Sequence, residues 1–343
     1  MKGIIASIAL IVIGFFVPGV GVAQQYPSYG QYYFNRSMYN PSFVGNSKYI
    51  ETSVTHHQQW VGIDDAPSIT MFYFHYPTKG NVSLGLSASA DKSVLLSSTA
   101  IMGTYGYKVP LGNEHHLKFG LSMGFGTNNI DLDEVNIQDP AVFNAANSTL
   151  FMDGQFGLHY RWKQLEIGFA LPRVRLSQLN GPEKDIIFSE EVGSRLGMKL
   201  ISANYKIQLN GSSLVFEPVV LYRWVTNFDN LIEGLGILHI RDIVSLGGSY
   251  REDGAATAFF GVKFLDKLSL GYTYGTAPLK VEGLSGGSHE IQLKLWFGKN
   301  KKGTLKKADD SLNDENKLND KERISPSYLY NTRKKKSSSQ EEK

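Results

Sequence analysis

The sequence predicts an all-β fold, a transmembrane antiparallel β-barrel of about fourteen strands with its N- and C-termini in the periplasm. Three observations lead to this prediction: an amino-terminal export signal, repeated alternation of apolar with polar residues, and connections that are long at one end of the predicted barrel and short at the other. The composition agrees, because 35 Gly, 18 Tyr and 19 Phe in 343 residues suit strands and tight turns better than helices.

The first 23 residues have the layout of a cleaved signal peptide. Lys2 supplies a positive charge, residues 4–17 are apolar, and small residues precede a cleavage point after Ala23. The alternative is an anchoring helix, but the apolar run is shorter than the roughly 20 residues that such a helix needs. We therefore predict that the mature chain begins at Gln24 and is exported to the outer membrane.

Alternation with a period of two recurs along the mature chain, most clearly in residues 82–91, 115–127, 267–276 and 289–298. This pattern alone also fits a sandwich or a soluble barrel. Glycine, serine and charged residues on one face are typical of a polar or water-filled lumen. Aromatic residues end the other face, which indicates the girdles of a membrane barrel.

Fourteen strands are predicted, at residues 48–60, 67–76, 82–91, 98–109, 115–127, 151–162, 164–171, 192–208, 213–225, 230–240, 242–251, 256–265, 267–276 and 289–298. The three longest connections, 128–150, 172–191 and 277–288, then fall at one end of the barrel, and the connections at the other end are short. Since bacterial outer-membrane barrels have long outer loops and short periplasmic turns, we place the long connections outside the cell.

Three features fit the pattern less well. The apolar phase of residues 192–208 changes near Leu200 and Ile201, which predicts a bulge or a strand that runs beyond the bilayer. Residues 230–240 are apolar in both phases. Pro218 falls inside a predicted strand, where it removes a ladder donor.

The predicted domain organisation has four parts. They are the signal peptide 1–23, an N-terminal collar or plug segment 24–46, the barrel 47–298 and a charged periplasmic tail 299–343. The tail is expected to be disordered, because it has almost no apolar residues with which to form a core.

The sequence offers little catalytic or metal-binding chemistry. There is no cysteine, and the net charge of +3 gives no reason to expect a nucleic-acid partner. His56-His57 and His115-His116 are adjacent pairs, so on strands each pair should point to opposite faces. The acidic residues between 131 and 139 lack the spacing of a calcium loop, and no hydrolase motif is present. We predict no enzyme activity, no catalytic residue, no cofactor and no metal.

Several stretches go beyond alternation. Gln31–Asn35, Tyr39–Gly45 and Gln59–Pro67 resemble the N-terminal signature of the PorP/SprF family, and the likeness continues at Tyr105–Gly112 and Ser288–Ile291. Members of that family are outer-membrane proteins associated with the type IX secretion system and with gliding motility. The motif residues, with a role either in shaping the structure or in docking a partner, are Asn40, Pro41, Gly45, Trp60, Gly62, Asp64 and Pro67.

The resemblance implies a non-enzymatic component of type IX protein secretion. Such a component would help to export a large surface protein, such as a gliding adhesin, or anchor it at the cell surface. The implied partners are outer-membrane lipid, the secreted surface protein or adhesin, and periplasmic lipoproteins of the secretion machinery. The alternative, which the strand count allows, is an outer-membrane transport channel for small solutes.

Overall fold

A computed structural model describes residues 32–93, 96–112, 114–130, 149–178, 198–210, 213–225, 230–264, 267–277 and 286–298. The predicted signal peptide, most of the three long connections and the predicted tail therefore lie outside the described residues. Among the residues that are described, no helix is both long and apolar enough to cross a membrane, a result that concerns helices alone.

The described strands form one antiparallel sheet that closes on itself. The fifteen segments are β1 (Ile50–Gln58), β2 (Ser68–Pro77), β3 (Val82–Ser93), β4 (Leu96–Pro110), β5 (His115–Ile130), β6 (Thr149–Trp162), β7 (Leu165–Gln178), β8 (Met198–Tyr205), β9 (Ile207–Asn210), β10 (Leu214–Val225), β11 (Leu231–Ile240), β12 (Val244–Arg251), β13 (Ala256–Phe264), β14 (Leu268–Gly275) and β15 (Ser288–Phe297). Since β8 and β9 both pair with β10, they occupy a single strand position in the barrel wall, which therefore has fourteen strand positions. Pairing of β1 with β15 and of β10 with β11 closes the barrel. The predicted antiparallel barrel of fourteen strands is confirmed.

Alternation along each strand separates the two faces of the wall. In β5, Leu121 and Met123 are 55% and 53% exposed, whereas Ser122 between them is 1% exposed. On this strand apolar side chains therefore face outward, and small or polar side chains face the lumen. Trp162 and Trp224 also face outward, as the predicted girdles require.

The two ends of the barrel differ in their connections. At the short-turn end, where β1 begins and β15 ends, strands are joined by turns such as 163–164 between β6 and β7. At the opposite, long-loop end, residues 131–148 separate β5 from β6, and 179–197 separate β7 from β8. The predicted asymmetry of the connections is therefore present in the fold.

The predicted bulge near Leu200 and Ile201 is present in the pairing with β7 and lies on the β7 side. Ala170 is opposite Leu200 and Arg173 is opposite Met198, so β7 has one extra residue there. Pairing of β8 with β10 is regular from Met198 to Asn204, with Leu200 buried in the lumen and Ile201 facing outward. At the other end of β8 the strand is interrupted at Lys206, but β9 continues in the same register with β10, since Asn204 is opposite Val219 and Ile207 is opposite Phe216.

The apparent change of phase arises because part of the lumen is apolar. A cluster of buried residues from the wall and from the segment before β1 fills this side, namely Tyr32, Phe34, Tyr39, Ala170, Leu200, Val219, Leu221, Leu235, Ile237 and Phe259. The same cluster explains why residues 230–240 are apolar in both phases. Residues 32–46, here called the lumenal segment, contain one helical turn, α1 (Arg36–Tyr39), and a 3₁₀ turn at Pro41–Phe43.

Candidate functional site

The lumenal segment is fixed to the barrel wall by a buried ion-pair network. Arg36 donates to Glu166 of β7 at 2.9 Å and to Glu217 of β10 at 2.5 Å. Asn204 donates to the same two carboxylates, at 3.3 and 2.8 Å. His239 lies 3.0 Å from the second oxygen of Glu217. Each carboxylate thus has two or more polar partners, which is what charges buried at such a site require.

Burial and charge act in opposite directions on Arg36. Removal from water works to lower the pKa of its guanidinium, but the carboxylates of Glu217 and Glu166 outweigh this and raise it. Arg36 therefore stays charged at all physiological pH values. The segment is held by a permanent cation rather than by a group that titrates.

The next part of the lumenal segment lies against a row of small residues in the wall. Gly106 is opposite Gly120, Gly120 is opposite Gly157, and Gly157 is opposite Ala170. A Cβ added at Gly120 would collide with the backbone of Pro41, and one at Gly157 would collide with the Asn40 side chain. The row thus gives the segment room to approach the wall closely.

Polar contacts fix Asn40 and Ser42 on this row. The Asn40 amide donates to the carbonyl oxygens of Leu158 and Phe169, at 3.2 and 3.3 Å, and its Oδ1 accepts from the Ser42 amide. The Ser42 hydroxyl lies 2.9 Å from His159 Nδ1. Asn40 is 1% exposed, so its buried side-chain amide has its hydrogen bonds satisfied by the barrel wall.

Aromatic side chains hold the other side of the segment. Tyr33 stacks on Phe259, with ring centroids 4.9 Å apart, and Phe34 meets Phe259 edge-on at 5.9 Å. Phe34 also lies close to Gly261 and Gly271, which are paired across β13 and β14. The segment therefore crosses the lumen from β13 to β3, where Val44 packs near Gly85.

A polar cavity of about 170 Å³ lies beside the segment at the short-turn end. Lys294 donates to the Phe34 carbonyl oxygen at 3.0 Å and contacts Glu51 at 3.2 Å. Asn35 lines the same cavity and is 6% exposed, and its Nδ2 has no hydrogen-bond partner among the residues that the structure describes. The size and polar lining suit ordered water.

The structure does not bring the seven predicted motif residues together. Asn40, Pro41 and Gly45 belong to the lumenal segment, near the short-turn end. The other four, Trp60, Gly62, Asp64 and Pro67, lie in the connection between β1 and β2 at the long-loop end. The nine residues of β1 separate the groups by roughly 30 Å at a rise of 3.3 Å per residue.

The connection between β1 and β2 is a compact loop with apolar side chains on its surface. Gly62 has φ +101°, a conformation that favours glycine, and Trp60 has φ 44°. The Val61 amide donates to the Gly287 carbonyl at 3.0 Å, which ties this loop to the one before β15. Val61 and Ile63 are 48% and 43% exposed. The loop therefore offers an ordered apolar surface at the rim.

The histidine pairs point to opposite faces, as predicted. His56 is exposed and His57 is buried, where its Nδ1 lies 3.0 Å from Glu290. His115 stacks on Trp162 at the outer surface. Within the described part of the chain, no three His, Cys, Asp or Glu residues are grouped so as to hold a metal ion.

Sequence reasoning missed the ion-pair network and the glycine row. The sequence places the wall glycines on the polar lumenal face, and their in-register positions on adjacent strands are the signal that another segment approaches there. Comparison with known families matches residues 21–295 to the family described as type IX secretion system membrane protein PorP/SprF.

The chain belongs to the PorP/SprF family.

Family membership makes the protein an outer-membrane component associated with type IX secretion. A search of curated proteins found no match.

Several solved outer-membrane structures are similar in outline. Omp33 of Acinetobacter baumannii is 8% identical, with a TM-score of 0.41 over 73% of this chain and 99% of its own. The toluene transporters TbuX of Ralstonia pickettii and TodX of Pseudomonas putida are 10% and 9% identical, with TM-scores of 0.44 and 0.42. They cover 76% and 81% of this chain, and 93% and 96% of their own. At these scores we draw nothing about function from the likeness.

Proposed function

We propose that the protein is a non-enzymatic docking component that helps to export a large surface protein, such as a gliding adhesin, or anchor it at the cell surface. The family assignment supports a role in type IX secretion. The observation that carries the docking role is the lumenal segment, which crosses the barrel interior and is held there by Arg36 and Asn40. A barrel filled in this way is suited to holding partners at its rims.

In this proposal the long-loop end faces outward and meets the exported protein. The short-turn end faces the periplasm and meets lipoproteins of the secretion machinery. Because the chain has no cysteine, single cysteines report orientation directly. In intact cells an impermeant maleimide should label Asp64→Cys and leave Lys79→Cys unlabelled until the outer membrane is permeabilised. Labelling of only Lys79→Cys in intact cells would reverse the orientation.

The apolar rim loop provides a sharper test of docking. Val61→Ser combined with Ile63→Ser removes two exposed apolar side chains without touching the barrel wall. A strain that carries this variant should make normal amounts of folded barrel but release the surface protein into the medium. Lys163→Ser, in an exposed turn at the opposite end, is the matched control. Normal retention of every surface protein in the deletion strain would refute the proposal itself.

The alternative of a solute channel makes a different prediction. A docking barrel with an occupied lumen should give no steady conductance in planar bilayers. A stable open pore with a solute preference would favour transport instead. Deletion of residues 32–46 supplies the positive control, because the emptied barrel should conduct.

A further inference from the structure

Positively charged side chains are exposed around the rim of the barrel at the short-turn end. Lysine and arginine stay charged at neutral pH. We call these residues the cationic rim. They are Lys48, which precedes β1, Lys79 between β2 and β3, Lys163 between β6 and β7, Arg241 between β11 and β12, and Lys267 between β13 and β14.

Most of the charge of the cationic rim is not neutralised by the protein itself. Lys163 contacts Glu114 of the neighbouring turn at 3.2 Å. Within the described part of the chain, the side chains of the other four cations form no ion pair. The acids described in the same turns are Glu114 and Asp242, which are fewer than the cations. The described residues of the rim therefore leave several positive charges available to a ligand.

Exposed aromatic side chains on the outer face lie close to these cations in the chain. Tyr76 precedes Lys79 by three residues, and Phe264 precedes Lys267 by three. Trp162 is followed directly by a third cation of the rim. Aromatic rings of this kind mark the membrane–water interface of a barrel. At 3.3 Å per residue the cations lie within roughly 10 Å beyond the rings, which is the depth of lipid headgroups.

We propose that the cationic rim binds the phosphate groups of anionic phospholipids in the leaflet at the short-turn end. The cations are spread around the barrel. Four strands separate the turn of Lys79 from that of Lys163, which is roughly 20 Å at about 4.8 Å per strand. A compact protein bound on one side would reach only part of such a ring, whereas lipid surrounds all of it. Only the identity of the leaflet depends on the orientation proposed above.

The test uses the full chain reconstituted in phosphatidylcholine vesicles that contain a spin-labelled lipid. Electron spin resonance separates the lipid restricted at the protein surface from free lipid, and so gives relative association constants. One cation near a headgroup favours an anionic lipid roughly fivefold, but the rim cations reach only part of the surrounding lipid. Spin-labelled phosphatidylglycerol should therefore associate about twofold more strongly than phosphatidylcholine, and this preference should disappear as salt rises.

Paired variants locate the preference on the barrel. Lys79→Gln combined with Lys267→Gln should remove a large part of it, whereas Lys79→Arg combined with Lys267→Arg should keep it. The matched control is Lys92→Gln with Lys199→Gln, which removes the same charge at the long-loop end and should leave the preference unchanged. The heat-induced shift on gels verifies that each variant is a folded barrel.

Three results would overturn the proposal. Equal association of both lipids with the wild-type chain would show that the rim does not select headgroups. An equal loss of preference in the control variant would place the preference elsewhere. Binding of a soluble deca-glutamate peptide to the detergent-purified chain, without any lipid preference, would assign the rim to an acidic protein. Each outcome leaves the docking role untouched, because retention of the surface protein tests that role separately.

Discussion

Replacing Arg36 with alanine should release the lumenal segment from the barrel wall. The substitution leaves the carboxylates of Glu166 and Glu217 buried without their cation, and removal of one partner from a buried ion pair costs about 3–5 kcal/mol. Asn204 and His239 still reach these carboxylates, so the lower end of that range applies. At 1.4 kcal/mol per decade, about 3 kcal/mol raises the undocked fraction roughly 100-fold.

Thiol accessibility measures this fraction in the cysteine-free chain. Val44 is 2% exposed and packs against the wall, so Val44→Cys places a reporter where reagent enters only when the segment leaves. The maleimide reaction rate should rise roughly 100-fold when Arg36→Ala is added. Arg241→Ala, at an exposed turn residue, should leave the rate unchanged.

A rescue variant separates charge from shape. Combining Arg36→Met with Glu166→Gln and Glu217→Gln removes the two buried carboxylate charges together with the cation. This variant should recover most of the protection of Val44→Cys from maleimide. Equal reaction rates with and without Arg36→Ala would refute the account of the ion-pair network as the anchor. Fast labelling of the rescue variant would show that lost packing, rather than charge, is responsible.

Other substitutions test the packing of the lumen. Gly120→Val should push the lumenal segment away from the wall and reduce the free energy of its docking by about 1–3 kcal/mol. The measurement is faster labelling of the Val44→Cys reporter. Gly103→Val is the control, because a Cβ added there meets nothing within 4 Å. Leu221→Ala should lower the stability by about 2–5 kcal/mol, measured as a lower temperature for the heat-induced shift on gels, whereas Val220→Ala, which faces outward, should have little effect. If Gly103→Val and Gly120→Val behave alike, the glycine row has no special fit. If Leu221→Ala has as little effect on stability as Val220→Ala, the side chains in the lumen do not act as a hydrophobic core.

The barrel could be predicted from sequence because its wall obeys one rule. Every strand must present apolar residues to the outside, so segments such as β5 and β14 alternate visibly. The asymmetry of the connections follows from strand positions alone. These features depend on neighbours in the chain, which a sequence displays directly.

The interior was less predictable, because it depends on residues far apart in sequence. Arg36 meets Glu217 across 181 residues, and no local pattern marks that pair. Apolar Leu200 and Ile237 interrupt the expected alternation, because polar residues are expected on the lumenal face of every strand. They are regular residues of a wall whose inner face is covered by protein.

The seam between β1 and β15 links the closure of the barrel to the position of the lumenal segment. Glu51 lies in the first strand of the barrel and Lys294 in the last, and the two side chains form an ion pair. Lys294 also donates a hydrogen bond to the Phe34 carbonyl oxygen. Pairing of β1 with β15 and docking of residues 32–46 are therefore energetically coupled. Loss of the Lys294 side chain would weaken the closure of the barrel and the docking of residues 32–46 together.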